Sequence, residues 1–394
     1  MLETDISETQ LKTPWPVFDA DMVEAAARVL RSGKVNYWTG PEGKCFEAEF
    51  ARFLGVSHSI ALTNGTVALE LALRALGIRA GDDVVISPRS FIASAGSVIA
   101  CGARPIFADV DCDSGNIRAD TIERVLTPAT RAVVVVHLGG WPCELDPIRE
   151  LARAHRIKIV EDVAQAQGGT YRGRQLGSVG DIGTFSFCND KIVSTGEGGL
   201  LATNHVDIFK RVWSLRDNGR SWEAMQTQSI PLGFRYVRSD FGTNCRMTEM
   251  QSAIGRVALH RLPDWIARRR SNARLLAQRL GNLQGVRVPT EPDGHAHYRS
   301  YVYVRPEKLA TGWTRDRILA QLLRRNVPCS VGSCGELYLE KVFDQGNLRP
   351  AKRLPVARTL AETSLAFPVD PTLTENDIHG IGDAVETVLK QASA

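Results

Sequence analysis

Short apolar stretches alternate with amphipathic stretches through the first half of the chain. Runs rich in Val, Ile and Ala predict strands at residues 59–62, 84–86, 105–110, 132–137, 157–160 and 182–187. Helical spacing of apolar residues predicts intervening helices at residues 67–76, 122–126 and 145–155. Strands that alternate with helices are typical of a mainly parallel sheet covered on both faces, so the pattern predicts an α/β fold.

The pattern changes after residue 202. A helix is predicted at residues 206–215, followed by a long irregular stretch at 218–241, a helix at 248–262 and a basic helix at 265–280. Because irregular stretches of this length in compact proteins are usually functional or disordered, we expect a functional one. From residue 289 onward, turns, a tyrosine-rich strand at 298–304 and helices beginning near 314 and 375 predict a separate α+β unit.

We therefore expect two domains and a leading segment. Residues 35–262 form a large α/β/α domain of three layers, and residues 263–394 form a smaller α+β domain. Residues 1–34, which include a helix at 21–32, are expected to pack with the small domain.

Composition narrows the class of protein. With 43% hydrophobic and 23% charged residues and a net charge of +4, the chain resembles an ordinary globular protein without a basic nucleic-acid-binding arm. The acidic first residues do not resemble a signal peptide, and no apolar run is long enough for a membrane span. Eight cysteines are scattered without metal-ligand spacing. We expect a cytoplasmic protein with reduced thiols and no metal, nucleic-acid or membrane partner.

Two predicted strands end beside reactive side chains. The strand at 157–160 leads into Glu161 and Asp162, and the strand at 182–187 leads into a turn that contains Lys191. The carboxyl ends of strands in such a sheet form its ligand-binding edge. An acid that faces the ring nitrogen and an amine that forms a Schiff base are what pyridoxal phosphate requires. The alternative is a surface lysine beside a glycine-rich turn.

A phosphate site is predicted near the same edge. Gly65 and Thr66 begin the helix after the first strand, where backbone amides can bind an anion. Ser186 offers a hydroxyl to the same phosphate. An ordinary helix cap at residues 64–66 is the alternative interpretation.

Three further side chains could contact the cofactor ring. Phe91 could stack on it, although most such aromatic residues belong to the core. Asp162 is expected to be buried and needs a cationic neighbour, either the ring nitrogen or an arginine. Gln165 could reach the phenolic oxygen of the ring or cap a turn.

These residues occur in longer motifs. The run EDVAQAQGGTYRGRQLGSVGDIGTFSF, the following lysine and STGEGG, together with NGTVALELAL, SFIAS and GTNCRMTEMQSAIG, resemble the DegT/DnrJ/EryC1/StrS family of sugar aminotransferases. The resemblance covers nearly the whole chain. It implies the aspartate aminotransferase-like fold, type I of the pyridoxal phosphate enzymes.

The resemblance also implies residue roles. Lys191 would form the Schiff base, and Asn244 would reach the phosphate in a neighbouring subunit, which implies a homodimer with shared active sites. The other implied contacts are Asp162 with the pyridine nitrogen, Gln165 with the ring oxygen, Phe91 with the ring face, and Gly65, Thr66 and Ser186 with the phosphate.

Two departures from the family pattern concern specificity. Asn218 stands where members often have histidine, and Cys188-Asn189-Asp190 precedes the lysine where His-Pro is frequent. Family branches that dehydrate a sugar replace the lysine by histidine, so Lys191 favours transamination.

The expected reaction moves an amino group from an amino acid, L-glutamate in our hypothesis, to a ketosugar. A nucleotide-linked 4-keto-6-deoxy sugar for surface polysaccharide (O-antigen) is the first choice. The C-terminal half also resembles members that act on keto-cyclitols of the scyllo-inosose type with L-glutamine. A dehydratase or lyase on the same fold and a non-catalytic sugar sensor are the rival hypotheses.

Several polar and aromatic residues remain candidates for other contacts. The pair His295 and His297 would point to one side of a strand, which suits polar contacts near a sugar pocket, or no functional role, better than a metal site. Candidates for binding the sugar or its diphosphate are Tyr37, Trp38, Arg220, Arg235 and Arg238.

Overall fold

The computed structural model describes residues 15–226, 236–346 and 348–393. Its strands are β1 (His58–Leu62), β2 (Asp83–Ile86), β3 (Arg104–Phe107), β4 (Thr130–Val136), β5 (Lys158–Asp162), β6 (Thr170–Tyr171), β7 (Arg174–Gln175), β8 (Ile182–Ser186), β9 (Gly199–Thr203), β10 (Val286–Arg287), β11 (Ser300–Val304) and β12 (Ser364–Phe367). Its α-helices are α1 (Ala20–Ser32), α2 (Glu42–Leu54), α3 (Gly65–Ala75), α4 (Ala93–Ala100), α5 (Ala119–Glu123), α6 (Leu145–His155), α7 (Val206–Arg216), α8 (Trp222–Gln226), α9 (Glu249–Leu280), α10 (Arg315–Arg324), α11 (Pro355–Thr363) and α12 (Glu375–Ala392).

A seven-stranded sheet with the order β1-β9-β8-β5-β4-β2-β3 lies at the centre of the first part of the chain. The strands from β8 to β3 pair in parallel, whereas β9 is antiparallel to both β1 and β8. The predicted mainly parallel α/β sheet is therefore confirmed, with β9 as the strand of opposite direction. The parallel strands bring their carboxyl ends to one edge.

Helices cover both faces of this sheet. On β4, Val133 and Val135 enter a hydrophobic cluster with α2 and α6, whereas Val134 and Val136 enter a second cluster with α3, α4 and α7. Because successive residues of a strand point to opposite faces, a continuous β-branched run fits a strand that is buried on both sides. The result is a three-layer α/β/α arrangement.

Helix α9 is longer than the sequence pattern predicts. We expected a break near Pro263, yet one helix of 32 residues runs through it. Pro263 is exposed, while Leu259, Leu262 and Ile266 are buried in the core. Packing of this apolar stripe holds the helix together across the hydrogen bond that proline cannot make.

A smaller sheet, β10-β11-β12, lies in the C-terminal part and packs with α10 and α12 around its own core. Helix α1 packs against α9, where Ala25 and Val29 contact Ala253. Because α9 continues through residues 262 and 263, the division into segments 1–34, 35–262 and 263–394 stays a prediction.

Within the described ranges, every helix is too short or too polar for a transmembrane span.

Candidate active site

A cavity of about 890 Å³ opens at the carboxyl ends of β1, β5 and β8. Seven of the residues predicted to contact the cofactor line it, namely Gly65, Thr66, Phe91, Asp162, Gln165, Ser186 and Lys191. Their sequence positions span more than 120 residues, so the sheet is what brings them together. Whether each performs its predicted role stays a prediction.

The first wall of the cavity is the amino terminus of α3. Asn64 caps the helix, since its side chain accepts a hydrogen bond from the amide of Val67 at 2.9 Å. A Cβ atom on Gly65 would lie 2.6 Å from Cβ of Ser186. Only glycine lets the start of α3 approach the end of β8 so closely. The approach leaves free helix amides and a hydroxyl group side by side.

The two acidic residues at the end of β5, Glu161 and Asp162, point in different directions. Glu161 points away from the cavity and accepts hydrogen bonds from the amides of Gly177, Val179 and Gly180 at 2.9, 2.8 and 2.6 Å, and its Oε2 lies 3.1 Å from Nε2 of His137. Asp162 points into the cavity. Successive strand residues face opposite sides, so one carboxylate secures a turn and the other is left for a ligand.

Among the described residues, Asp162 has few hydrogen-bond donors. It accepts a hydrogen bond from the amide of Ala164 at 3.0 Å, and Ser94 Oγ lies at a marginal 3.5 Å. Burial raises the pKa of this carboxyl group, and the amide of Ala164 and the charge of Lys191 only partly oppose that rise. A buried carboxylate with so few donors favours a cationic ligand in the cavity.

Lys191 lies on the turn after β8 and is partly buried. Its Nζ atom is 3.3 Å from Oδ1 of Asp190 and 5.2 Å from the ring centroid of Tyr298. Tyr298 donates a hydrogen bond from its hydroxyl to Asp190, and Trp15 donates one from its indole to the Lys191 carbonyl at 2.9 Å. Trp15 and Tyr298 thus hold the turn that carries Lys191.

Gln165 and Phe91 occupy the remaining sides. The Gln165 side chain accepts a hydrogen bond from the Gly139 amide at 2.8 Å and donates one to Ser333 at 2.9 Å. Its amide therefore has a fixed orientation. Phe91 lines the cavity with 67% of its surface exposed, which leaves a ring face available for stacking.

The C-terminal part supplies a wall that our sequence analysis missed. Its residues in the cavity lining include Tyr298, Arg299, Tyr301, Ser333 and Cys334. Arg299 is the notable addition, because it and Lys191 are the two cations of the lining and Arg299 forms no ion pair with the described carboxylates. The tyrosine-rich run at 298–304 was the available signal, but it predicted only a strand.

Four of the residues predicted to bind the sugar, Tyr37, Trp38, Arg220 and Arg238, do not line this cavity. Tyr37 is buried and donates a hydrogen bond to Glu47, and Trp38 packs on Trp213. Arg220 stacks on Trp38, and Arg238 is exposed. Arg235 lies outside the described residues.

Asn244 also lies outside the cavity of the single chain. It is exposed and forms an isolated bridge with Asp217. Its predicted contact with a second subunit stays a prediction.

Comparison with known proteins identifies this arrangement. Residues 16–386 match the model of the DegT/DnrJ/EryC1/StrS aminotransferase family. The chain belongs to this family. A GDP-perosamine synthase from Caulobacter vibrioides is 37% identical over 87% of this chain and 89% of its own.

Two further comparisons also match aminotransferases over nearly the whole chain. An L-glutamine:2-deoxy-scyllo-inosose aminotransferase from Streptoalloteichus tenebrarius is 33% identical over 96% of this chain and 95% of its own. The X-ray structure of an aminotransferase from Psychrobacter cryohalolentis superposes with a TM-score of 0.94 and 46% identity, covering 96% of this chain and 99% of that chain. The protein is a pyridoxal-phosphate-dependent aminotransferase of fold type I, as the sequence motifs predicted.

The cavity fits the cofactor. The buried Asp162 carboxylate lacks the cation that a protonated pyridine nitrogen would supply, and the α3 terminus with Ser186 offers donors to a phosphate. When bound, pyridoxal phosphate supplies an electron sink for charge that develops on the substrate carbon. Lys191 would be the residue that holds the cofactor and moves a proton at the substrate carbon, and this role stays a prediction.

Proposed function

We propose that this aminotransferase transfers an amino group from L-glutamate to a nucleotide-linked 4-keto-6-deoxy sugar for surface polysaccharide (O-antigen) assembly. The observation that carries the proposal is the meeting of Lys191, Asp162 and the α3 terminus in one cavity of about 890 Å³. The retained lysine supports transamination over dehydration. The name of the Caulobacter relative supports a nucleotide-linked sugar.

A keto-cyclitol aminotransferase is the second candidate. The similarity to the L-glutamine:2-deoxy-scyllo-inosose enzyme covers nearly the full length of both chains and favours it. A cyclitol carries no diphosphate, so the two candidates differ in the acceptor charge that the site must accommodate.

Arg299 would anchor a carboxylate of the amino donor. It lies in the cavity lining with Lys191, and its guanidinium lies over the Tyr298 ring, 5.0 Å from the centroid. A planar guanidinium binds a carboxylate through two parallel hydrogen bonds.

The experiment that tests this proposal measures the donor and acceptor half-reactions separately. Enzyme reconstituted with pyridoxal phosphate is mixed with L-glutamate or L-glutamine, and conversion to the amine form of the cofactor is followed by absorbance. The amine form is then offered GDP- and dTDP-linked 4-keto-6-deoxy sugars and scyllo-inosose, with mass spectrometry of the products. Glutamate conversion and an aminated nucleotide sugar are expected.

Lys191→Ala should abolish both half-reactions, whereas Lys390→Ala on the exposed face of α12 should leave them unchanged. Conversion of scyllo-inosose alone would establish the second candidate. A colourless protein, or unchanged biological activity in the Lys191→Ala variant, would instead favour a non-catalytic sensor.

The proposed enzyme is a homodimer in which the two subunits share their active sites. Phe241 is 94% exposed and Phe91 67% exposed, and large aromatic side chains are common in protein interfaces. Asn244 is exposed on the same stretch as Phe241, where it could reach a second subunit. A cytoplasmic location is supported by eight cysteines that form no disulfide.

Subunit mixing tests the sharing. If the active sites are shared, Lys191→Ala and Asn244→Ala dimers are each inactive alone. A mixed dimer, however, contains one intact site. Random mixing should restore about a quarter of wild-type activity, since half the dimers are mixed and each has one working site. Additive residual activities after mixing would show that Asn244 serves its own subunit, and light scattering would report a monomer directly.

A further inference from the structure

Three side chains with metal-binding atoms meet behind the C-terminal wall of the cavity. One ligand atom from each of Glu291, His295 and His297 lies within 4.8 Å of the other two. Glu291 Oε1 is 3.5 Å from Nδ1 of His295, and Glu291 Oε2 is 3.3 Å from Nε2 of His297. The imidazole rings stack with centroids 3.8 Å apart.

Both imidazoles are buried with a nitrogen that has no hydrogen-bond partner. His295 and His297 are each 4% exposed, and the Nδ1 atom of each ring is unpartnered. A buried polar atom without a partner is destabilising, and at His295 this atom is Nδ1, which faces Glu291, so a missing ligand there is a physical explanation.

The tautomer of His295 suits metal binding. Its Nε2 lies 3.2 Å from the Gly139 carbonyl oxygen, which can only accept a hydrogen bond, so Nε2 carries the proton. The lone pair is then on Nδ1, the atom that faces Glu291. Metal-ligating histidines characteristically donate their other N–H to a carbonyl or carboxylate in this way.

The three side chains must move closer together to bind a small metal ion. Ligand atoms about 2.0–2.2 Å from a tetrahedral zinc ion lie roughly 3.4 Å from each other. The contacts of the two Glu291 oxygens are near that value, and one ligand atom from each residue lies within 4.8 Å of the others. The ring planes differ by only 21°, so binding one ion requires rotation about the second side-chain torsion of histidine, which has a broad energy well. Imidazole and carboxylate ligands suit zinc and its first-row neighbours.

We propose that Glu291, His295 and His297 form a structural site for one divalent transition-metal ion, with zinc as the best fit and water as a fourth ligand. Arg270 donates a hydrogen bond to the His295 carbonyl at 2.9 Å, and Arg269 donates one to the His297 carbonyl at 3.3 Å. These positive charges oppose a dication, so we expect a moderate affinity that depends on the Glu291 charge.

The site would stabilise one wall of the active site. Gly139, whose carbonyl faces His295, donates its amide hydrogen to Gln165 and accepts a hydrogen bond from the Tyr298 amide at 2.9 Å. A bound ion would therefore fix the position of Gln165 and of the segment that carries Tyr298 and Arg299 into the cavity. The effect on catalysis would be indirect.

The test uses the full chain without a histidine tag, loaded with pyridoxal phosphate. Metal content is measured by mass spectrometry after dialysis in metal-free buffer, and zinc chloride binding is measured by calorimetry. Glu291→Gln and His297→Asn remove one ligand each, and His260→Asn on the exposed face of α9 is the matched control. We expect about one zinc per chain in wild type and control, and at least roughly tenfold weaker binding in both ligand variants.

Stability gives an independent readout. A chelator should lower the melting temperature of the wild type and the control but not that of Glu291→Gln. Equal zinc binding by the ligand variants, or no stoichiometric binding by the wild type, overturns the proposal and indicates an adventitious ion or a cysteine site. If a variant fails to bind the cofactor and is misfolded, the visible spectrum of the cobalt-loaded wild type decides, because cobalt in this site must show nitrogen and oxygen ligation without thiolate.

Discussion

The carboxylate of Asp190 lies 3.3 Å from the amine of Lys191 and also accepts a hydrogen bond from Tyr298. Burial raises the pKa of Asp190, but the charge of Lys191 and the Tyr298 hydroxyl outweigh it and leave the pKa below its usual value. Asp190 is therefore ionised at neutral pH. Asp190 gives the Lys191 amine a negative counter-charge. Through its hydrogen bond with Tyr298, it also connects the turn to the C-terminal part of the chain.

Asp190→Asn should weaken catalysis by misplacing the lysine amine. The amide keeps the shape of the side chain but loses the charge, so we expect the maximal rate of the glutamate half-reaction to fall about 10- to 100-fold. The Michaelis constant for glutamate should change little. Stopped-flow absorbance measures both, with Asn189→Ala at the neighbouring exposed position as control. A fully active Asp190→Asn enzyme would show that the contact is incidental.

Arg299→Gln should act on donor binding instead. Loss of a bidentate carboxylate contact is expected to raise the Michaelis constant for glutamate roughly 10- to 100-fold, with a smaller effect on the maximal rate. Arg305, at the opposite end of β11 and outside the cavity lining, provides the control variant Arg305→Gln. Similar changes in the two variants would refute a direct role for Arg299.

Asp162→Asn should raise the stability of the cofactor-free protein and lower its activity. At neutral pH the amide relieves the cost of a buried charge, so the cofactor-free protein should gain about 1 kcal/mol while cofactor affinity and turnover fall at least roughly 100-fold. Because burial raises the pKa of Asp162 above its usual 3.8, the wild type recovers stability as pH falls, and the gain should vanish below that value. Denaturant unfolding at several pH values measures it. A stability difference that is independent of pH would contradict the assignment.

Gly65→Ala should damage the phosphate site through contact alone. The added methyl group would lie 2.6 Å from Cβ of Ser186 and must displace α3 or β8, so we expect cofactor affinity to fall more than about tenfold. Equilibrium dialysis of pyridoxal phosphate gives the dissociation constant. Gly380→Ala, within α12 and without neighbours for a new Cβ, should be neutral or stabilising by about 0.5–1 kcal/mol.

Glu161→Gln tests the carboxylate on the other face of β5. Despite the opposing effect of burial, hydrogen bonds from His137 and the backbone amides of Gly177 and Gly180 hold the Glu161 pKa below its usual 4.5. Its contribution is present above that value and is lost as pH falls through the lowered pKa. We expect a loss of about 2–4 kcal/mol at pH 7 that shrinks in acid, measured by thermal or urea unfolding. A constant difference down to acidic pH would contradict this account.

The sequence predicts the cofactor cradle well because its residues follow strands. Asp162 and Ser186 each end a strand with a strong apolar pattern, and Gly65 begins the helix after another, so local signals are sufficient to bring them to one edge. The same alternation predicts the α/β fold.

The remaining features depend on long-range packing. Arg299 and Ser333 enter the cavity from more than 100 residues beyond Lys191, and no local pattern indicates which loop will meet the cofactor edge. The predicted break between residues 262 and 265 is wrong, because burial of the leucines near Pro263 outweighs the hydrogen bond that proline cannot make. The metal-binding atoms of Glu291 and His295 likewise converge only after the turn between them folds.

The hydrogen bonds of Gln165 join the two sources of the cavity wall, with Gly139 on one side and Ser333 on the other. The proposed cofactor-binding residues and the C-terminal wall therefore come from separate segments of the chain that meet at the Gln165 side chain. A chimera can therefore keep residues 58–204 and take residues 295–334 from a relative that uses another acceptor. Gln165 would be the contact between the two parts. Such grafting offers a direct route to new amino sugars from one catalytic half.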